Sequence, residues 1–321
     1  MTRAAATLAA LALAATAVAA CSPATDGTQR GDGSRGADAS PTAPEPGPGG
    51  DGRDPRVVRV VALGDFGSGT DGQYDVARAM CRHREREPYS DVVTTGDNIY
   101  ETGAPEDFEL KFFTPYRCLL QRGVEFHATL GNHDVATDGG RPELAEPAFG
   151  MPARHYTWRA GPITFVALDS NGWVDDGVDE AQTAWLVRRL RAARDRPWTV
   201  VAMHHPIYSG GAYHGPTPSF AATFDERFAR LGVDLVLQGH DHIYSRARSN
   251  GVTYVVTGGG GAALTGCADP PRPRVARCES KLHFVELEAT RRTLVTSAIG
   301  EGGATFDRYD VPRNRDGSLD P

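Results

Sequence analysis

The sequence of 321 residues lacks several features that mark common classes of protein. It has no excess of basic residues, since 34 Lys and Arg stand against 41 Asp and Glu and the formal net charge is -7. No run of Lys or Arg stands out, which argues against a protein that binds nucleic acid through its charge. No internal repeat is visible. The content of 40% hydrophobic and 23% charged residues is typical of a globular protein with a sizeable core.

The N-terminal segment has one early positive charge and then an apolar stretch of small residues. This layout predicts an export signal, because the stretch is too short and too rich in alanine to hold as a spanning helix. Its last letters, VAAC at 18–21, resemble a bacterial lipoprotein box. We therefore expect a signal at 1–20 and a lipidated Cys21 that anchors the protein to the outer face of the cell membrane. The alternative is an ordinary secretory signal, cut after Ala19 or Ala20.

The segment at 21–55 has almost no apolar residues and consists largely of Gly, Pro, Ser, Asp and Thr. Such a composition cannot bury enough surface to offset the entropy of ordering, so we expect a disordered tether. A folded catalytic domain is predicted at 56–312, and a disordered tail at 313–321.

Cysteine is scarce, and apart from Cys21 the chain has Cys81, Cys118, Cys267 and Cys278. An even number in an exported domain predicts two disulfides, for which three pairings exist. Cys267 and Cys278 bracket a loop rich in Pro and Arg, so we expect Cys267–Cys278 together with Cys81–Cys118. A zinc site is less favoured, because neither pair has the close Cys-x-x-Cys spacing.

Short β-branched runs recur from Arg56 onward, and each ends in a polar or glycine-rich corner. Most are apolar throughout, which is typical of strands buried on both faces. They read RVVRVVALGD, DVVTTGD, VEFHATLGN, ITFVALDS, WTVVAMHH, VDLVLQGH and VTYVVTGGGG. Near the end, LHFVELEA and TLVTSAIG alternate like antiparallel strands.

Helical stretches separate several of these strands and are predicted at 72–87, 106–120, 179–195 and 218–231. The clearest is DEAQTAWLVRRLRAARD, which begins with Asp179 as the N-cap and has Gln182 at the third position, as in a capping box. Strands interleaved with helices, followed by a β-rich end, predict an α/β domain with two packed mixed β-sheets flanked by helices.

Polar residues follow most of the strands. Because the carboxyl ends of buried strands in open α/β sheets form one crevice, we expect these side chains to converge. They are Asp65, Asp97, Asn132, His133, His204, His240 and His242. Each corner alone has a simpler explanation, such as an Asx-turn at GNHD. Five corners in this order indicate a metal site, and oxygen ligands with imidazoles suit iron, manganese and zinc.

The series GDFG, GDNIY, GNHD, VVAMHH and GHDH resembles the five blocks of calcineurin-like metallophosphoesterases, over nearly all of Arg56–Arg308. In that superfamily, a tyrosine three residues after the second-block Asp marks the purple acid phosphatases, and Tyr100 stands in that position after Asp97. HHPIYSGGAYHGPT at 204–217 is similar to the short, tartrate-resistant enzymes of that group. The glycine run after the last block lacks the Lys of a nucleotide-cradling loop.

The resemblance implies a role for each matching residue. Asp65, Tyr100 and His242 would bind Fe(III). Asn132, His204 and His240 would bind a divalent ion (Fe, Zn or Mn), and Asp97 would bridge both. His133 and His214 would contact the phosphate and protonate the leaving group.

Several other residues near these motifs are expected to support the fold or the site. His205 departs from the usual residue of the family and is expected to be structural. Asp134 is expected to orient its neighbours. His83, His155 and His283 are expected to be surface or core histidines without a role in the site.

The implied reaction is hydrolysis of phosphomonoesters by attack of a metal-bound hydroxide. One alternative keeps the site and changes the reaction, to a di-Mn or di-Zn phosphodiesterase or nucleotidase, in which Tyr100 only packs under its loop. A second is an inactive surface binding protein on a decayed scaffold, which the complete set of ligand residues disfavours.

Overall fold

The computed structural model describes residues 57–175, 177 and 179–314. The predicted signal, Cys21 and the tether lie outside the described residues, as does the segment 315–321. The described part contains two mixed β-sheets, of six and seven strands, with helices between the strands. None of the described helices is long and apolar enough to cross a membrane.

Thirteen strands make up the two sheets. In chain order they are β1 (Val58–Leu63), β2 (Asp91–Thr94), β3 (Glu125–His127), β4 (Tyr156–Ala160), β5 (Ile163–Ala167), β6 (Trp198–Ala202), β7 (Leu235–Gln238), β8 (Tyr244–Ser249), β9 (Val252–Thr257), β10 (Val275–Glu279), β11 (His283–Ala289), β12 (Leu294–Gly300) and β13 (Thr305–Asp310). The six-stranded sheet has the order β13-β12-β11-β1-β2-β3, and the seven-stranded sheet has the order β10-β8-β9-β7-β6-β5-β4.

Each sheet has a parallel part and an antiparallel part. Strands β1, β2 and β3 run parallel in one sheet. Strands β5, β6, β7 and β9 do so in the other. These are the runs that read as continuously apolar in the sequence, and β5, β6, β7 and β9 are buried along their whole length. The predicted fold, two packed mixed sheets flanked by helices, is confirmed.

The helices and short helical turns lie between the strands. The helices are α1 (Asp71–Arg86), α2 (Thr114–Leu120), α3 (Arg141–Ala145), α4 (Asn171–Asp175), α5 (Glu180–Ala193) and α6 (Pro218–Arg230). The 3₁₀ turns are Pro105–Asp107, Asp134–Ala136, Asp138–Gly140 and Pro147–Phe149, and a π-helical turn, Glu109–Phe113, leads into α2.

Three apolar layers hold the sandwich together. One joins α1 and α2 to the first sheet, around residues such as Met80 and Tyr116. A second fills the space between the sheets, where Val60 and Phe165 belong to the same buried cluster. The third packs α5 and α6 on the second sheet and includes Leu190. Burial of apolar area on this scale is the main force that keeps the two sheets face to face.

The N-cap of α5 forms as predicted, but its capping partner does not. The Asp179 carboxylate accepts hydrogen bonds from the backbone N–H groups of Ala181 and Gln182. The Gln182 side chain, however, bonds the backbone N–H and C=O of Asp169 in the loop after β5. Gln182 therefore ties the helix to that loop and does not make the second bond of a capping box, which would run from its side chain to the backbone N–H of Asp179.

Both predicted disulfides are present: Cys81–Cys118 joins α1 to α2, and Cys267–Cys278 closes the loop before β10. At the C-terminal end, Asn314 is buried and bonds Asp234, Ala229 and Val233. Residues 313–314 therefore belong to the packed part of the chain, although the sequence analysis places them in the tail.

Candidate metal centre

Polar residues at the strand ends of both sheets meet in one place. The loop after β1 carries Asp65 and the loop after β7 carries His240, whose backbone N–H donates to both carboxylate oxygens of Asp65 at 2.9 and 3.1 Å. His204, after β6, donates from Nδ1 to the backbone carbonyl of Thr95, after β2, at 2.8 Å. The convergence predicted from the parallel strands is therefore present.

The first group of contacts centres on the Tyr100 hydroxyl. Its oxygen lies 2.9 Å from Nε2 of His242, 3.1 Å from Oδ2 of Asp97 and 3.5 Å from Oδ1 of Asp65. Nδ1 of His242 bonds the carbonyl of Ala263 at 2.8 Å. Because a carbonyl only accepts, Nδ1 carries the proton and Nε2 presents its lone pair to this group. These are the residues expected to bind Fe(III).

The second group centres on the side-chain oxygen of Asn132. This Oδ1 lies 3.0 Å from Nε2 of His204 and 3.0 Å from Nδ1 of His240, and these two nitrogens are 3.2 Å apart. Oδ2 of Asp97 lies 3.4 Å from Nε2 of His204 and also contacts Tyr100. Asp97 therefore lies between the two groups, where the sequence analysis places a bridging ligand.

The chemistry of these donors fits bound cations. Since Nδ1 of His204 donates to a carbonyl, its Nε2 has a lone pair that faces the Asn132 oxygen, and two acceptors cannot bond each other. Burial lowers the pKa of His204. Burial and the nearby charge of Asp97 raise the pKa of Asp65. Burial, followed by the charges of Asp65 and Asp97, raises the pKa of Tyr100. Metal ions would neutralise these carboxylates and occupy the converging lone pairs.

The backbone at three of these residues adopts a conformation that L-residues avoid. Asp65, Asp97 and His240 have φ of 56°, 52° and 71°. Residues held in the left-handed region cost energy and persist where the surroundings fix them. Gly131 shows how tight the site is, since a Cβ at this residue would lie 2.1 Å from Oδ1 of Asp97.

The two histidines expected on the substrate side lie next to the two groups. The ring of His133 packs on Tyr100 at 4.4 Å between centroids, and its Nδ1 bonds the Glu101 carbonyl at 2.7 Å. The exposed ring of His214 packs on His240 at 3.9 Å. All nine predicted site residues therefore lie together, and their individual roles stay predictions. They are Asp65, Asp97, Tyr100, Asn132, His133, His204, His214, His240 and His242.

Asp134 holds the loops behind the site, as expected. Its carboxylate accepts from the backbone N–H groups of Gly131, Asn98 and Ile99 at 2.7–3.0 Å. Burial, followed by the charge of Asp97, raises the pKa of Asp134 to about 7. Asp134 thus fixes the loop that carries Tyr100 and the loop that carries Asn132 relative to each other.

Asp241 is a site residue that the sequence analysis missed. Its buried carboxylate accepts from the backbone N–H groups of His214 at 3.1 Å and Gly215 at 2.9 Å, and from the Ser209 hydroxyl. It therefore fixes the loop that presents His214. Asp241 lies inside GHDH, which could have drawn attention to it, but the family motif specifies only the two histidines and leaves this position open.

The Cys267–Cys278 disulfide supports the same loop from the other side. Gly211 forms an isolated β-bridge with Cys267, and the backbone N–H of Ala212 donates to the carbonyl of Gly266 at 2.9 Å. The N–H of Ala268 in turn donates to the carbonyl of Gly210 at 2.8 Å.

Next to the second group lies a cavity of about 380 Å³. Asn132, His205, His214 and His240 contribute to its polar wall, and Val135 and Pro216 to its apolar wall. The cavity thus provides space for a small molecule beside the residues expected to hold the divalent ion.

The three histidines expected to have no role in the site lie among other residues of the fold. His155 packs on Trp185 of α5. The imidazole of His83 bonds Glu286, and that of His283 bonds the Lys281 carbonyl.

Comparisons with known proteins agree with this geometry. The calcineurin-like phosphoesterase family matches residues 58–244. Purple acid phosphatase 7 of Arabidopsis thaliana is 26% identical over 287 residues, which cover 79% of this chain and 83% of that protein.

Two solved structures share the fold at 19% identity. GAP50, described as the anchor in the inner membrane complex of Plasmodium, has a TM-score of 0.71 and matches over 80% of this chain and 89% of its own. The purple acid phosphatase PPD1 from yellow lupin has a TM-score of 0.70 and matches over 81% of this chain and 55% of its own. The chain belongs to the calcineurin-like phosphoesterase family, and purple acid phosphatases are among its homologues.

Proposed function

We propose that this protein is an acid phosphatase of the purple acid phosphatase type, which hydrolyses phosphomonoesters at a centre of two metal ions. The observation that carries the proposal is the Tyr100 hydroxyl, which lies 2.9 Å from His242 Nε2 and 3.1 Å from Asp97 Oδ2. A phenol that only packed under its loop would need a single acceptor, whereas this hydroxyl lies against an imidazole lone pair and two carboxylates. As a phenolate, it would suit a trivalent ion.

Two sets of residues would hold the ions. Fe(III) would be held by Asp65, Tyr100 and His242, and a divalent Fe, Zn or Mn by Asn132, His204 and His240, with Asp97 shared between them. Bound there, such ions supply Lewis-acid chemistry and make a water nucleophile available at low pH.

The remaining steps fall to side chains of the protein. His133 and His214 flank the two groups, beside the space where the phosphate would bind. His214 lines the cavity beside Asn132, so a leaving group bound there would receive a proton from its imidazole. Asp241 orients this loop through the backbone N–H groups of His214 and Gly215.

The visible spectrum and the metal content of the purified full-length chain test the proposal. We expect a purple band and about two metal ions per chain, one of them iron, since a phenolate on Fe(III) absorbs visible light. A colourless protein with two Mn or Zn ions would contradict it and favour the phosphodiesterase or nucleotidase alternative. The rates with p-nitrophenyl phosphate and with its bis ester then separate monoester from diester cleavage. Full metal occupancy without turnover would indicate a binding protein.

A further inference from the structure

His205 is expected from the sequence to be structural, but its surroundings indicate a further role. It lines the cavity together with His214 and His240, and its ring packs on the ring of His240 at 4.7 Å between centroids. It is also largely buried, with 6% of its surface exposed. An imidazole in this position faces the space that a substrate would occupy, so its hydrogen-bonding state matters.

Ser170 sets that state. The Ser170 hydroxyl oxygen accepts the backbone N–H of His205 at 3.1 Å and lies 2.9 Å from Nδ1 of the same residue. Ser170 is fully buried, and among the described residues its hydroxyl proton has no acceptor other than this Nδ1. The hydroxyl therefore donates to Nδ1, and in a neutral imidazole the proton must then be on Nε2.

The adjacent His204 has the opposite tautomer. Its Nδ1 donates to the Thr95 carbonyl, so its Nε2 presents a lone pair, as a metal ligand must. Nε2 of His205 presents an N–H instead and cannot bind a metal ion in this tautomer. Within the described part of the chain, this N–H has no hydrogen-bond partner.

The walls of the cavity explain what such a donor would serve. No Lys or Arg is among the described residues that line it, so an anion there must be bound by neutral donors, imidazoles and the metal ions. Apolar side chains, Val135 and Pro216, make up part of the wall. A buried N–H on a residue that lines such a space gains most from a charged acceptor.

We infer that His205 is a substrate-binding residue, whose Nε2–H donates a hydrogen bond to a phosphoryl oxygen of the ester in this cavity. This inference rests on the proposed phosphatase function. Ser170 is its positioning residue, because the serine hydroxyl fixes the tautomer that makes the donor available.

Binding of inorganic phosphate to the metal-loaded full chain, measured by titration calorimetry, tests the inference without turnover. A hydrogen bond to a charged group is worth enough that His205→Ala should weaken phosphate binding by roughly 10-fold or more. His205→Gln, which places an amide N–H near the same point, should recover part of this loss. Ser170→Ala should weaken binding less than His205→Ala, and Ser170→Thr, which keeps the hydroxyl, should restore it.

His155→Ala is the matched control, since this imidazole packs on Trp185 of α5 and should leave phosphate binding unchanged. Equal affinity of His205→Ala and wild type would overturn the inference, and so would the loss of one metal ion from His205→Ala, which would make His205 a ligand. If wild type binds phosphate but hydrolyses no monoester, the proposed function fails and the His205 contact stands. If wild type does not bind phosphate, both fail.

Discussion

The hydroxyl of Tyr244 donates a hydrogen bond of 2.6 Å to the carboxylate of Asp307 and thereby joins the two β-sheets. Tyr244 lies in β8 of the seven-stranded sheet, and Asp307 in β13 at the edge of the six-stranded sheet. Arg246, also in β8, adds an ion pair with Asp307 at 2.8 Å. Burial alone would raise the pKa of Asp307, but the hydrogen bonds from Arg246 and Tyr244 outweigh it and lower this pKa.

Because the folded state holds the pKa of Asp307 below its usual value, this carboxylate should stabilise the fold above about pH 4 and lose that effect as the pH falls through the lowered pKa. We expect Asp307→Asn to reduce the free energy of unfolding at pH 7 by about 1–3 kcal/mol, measured by urea unfolding. The difference from wild type should shrink toward pH 3. Asp310→Asn, on the exposed part of the same strand, should show neither effect. A deficit that is constant from pH 7 to pH 3 would contradict this linkage.

The two disulfides should have separable effects, because only one of them supports the site. Removal of Cys81–Cys118, with a sequence separation of 37, should cost about 4 kcal/mol of stability and leave kcat of the remaining folded protein unchanged. Removal of Cys267–Cys278, with a separation of 11, should cost about 3 kcal/mol and also lower kcat, since its loop pairs with Gly211. Serine double variants, with unfolding and steady-state kinetics, test both. Equal kcat in the two variants would rule out a role for the second disulfide in the site.

Much of the fold followed from the sequence because apolar runs of strand length mark the parallel strands of each sheet. Strands β4, β8, β10 and β13 were not predicted, because their apolar residues are interrupted by Arg, Ser, Thr or Asp. Such strands lie toward sheet edges or face the other sheet, and contacts such as Tyr244–Asp307 fix them. A contact between residues 63 positions apart leaves no local pattern.

The site followed in the same way. Seven of the nine residues could be predicted because they follow strand ends, and Tyr100 and His214 because their motifs resemble those of purple acid phosphatases. Ser170 and Asp241 could not, because their roles depend on tertiary contacts. Ser170 acts on a ring 35 residues further along the chain, and Asp241 on backbone N–H groups 26 and 27 residues before it. Residues that position others are harder to find in a single sequence than residues that bind.

Asp241→Asn should lower kcat by about 10-fold while metal content stays at the wild-type level. The amide offers one acceptor oxygen in place of two, so the carboxylate bonds to the backbone of His214 and Gly215 cannot all be kept. A His214 that is less well oriented should slow the chemical step and so lower kcat, whereas KM should change less. Ser249→Ala, a buried hydroxyl bonded to Asp225 in α6, serves as a control for general destabilisation. Loss of metal from Asp241→Asn would show that the residue supports the ions and not the loop.

The state of Cys21 in the mature protein tests the predicted membrane anchoring. If the full-length chain is processed as a lipoprotein, intact mass should fit a chain that starts at Cys21 and carries diacylglycerol, and the protein should fractionate with membranes. Cys21→Ser should move it to the soluble fraction without a change in kcat. Export of an unlipidated wild-type chain that starts at residue 20 or 21 would favour the ordinary secretory signal.

Tyr100→Phe removes one oxygen from the centre of the first group and leaves the ring that packs on His133 at 4.4 Å. We expect the visible band to disappear and the affinity for iron to fall by at least 10–100-fold, the loss typical of partners that only support a ligand. Titration of the metal-free protein with iron, followed by absorbance and by thermal unfolding, measures both. Tyr213→Phe is the control, since this tyrosine is 77% exposed beside His214 and should keep colour and metal.

The two outcomes of Tyr100→Phe separate a ligand from a packing residue. Burial and the carboxylates of Asp65 and Asp97 raise the pKa of Tyr100, so without a cation its hydroxyl stays protonated and donates a hydrogen bond. Loss of that one bond should cost stability in the metal-free protein in either case, whereas loss of a phenolate ligand should add a further cost once metal is bound. A variant destabilised equally with and without metal, and still purple, would therefore assign Tyr100 to packing.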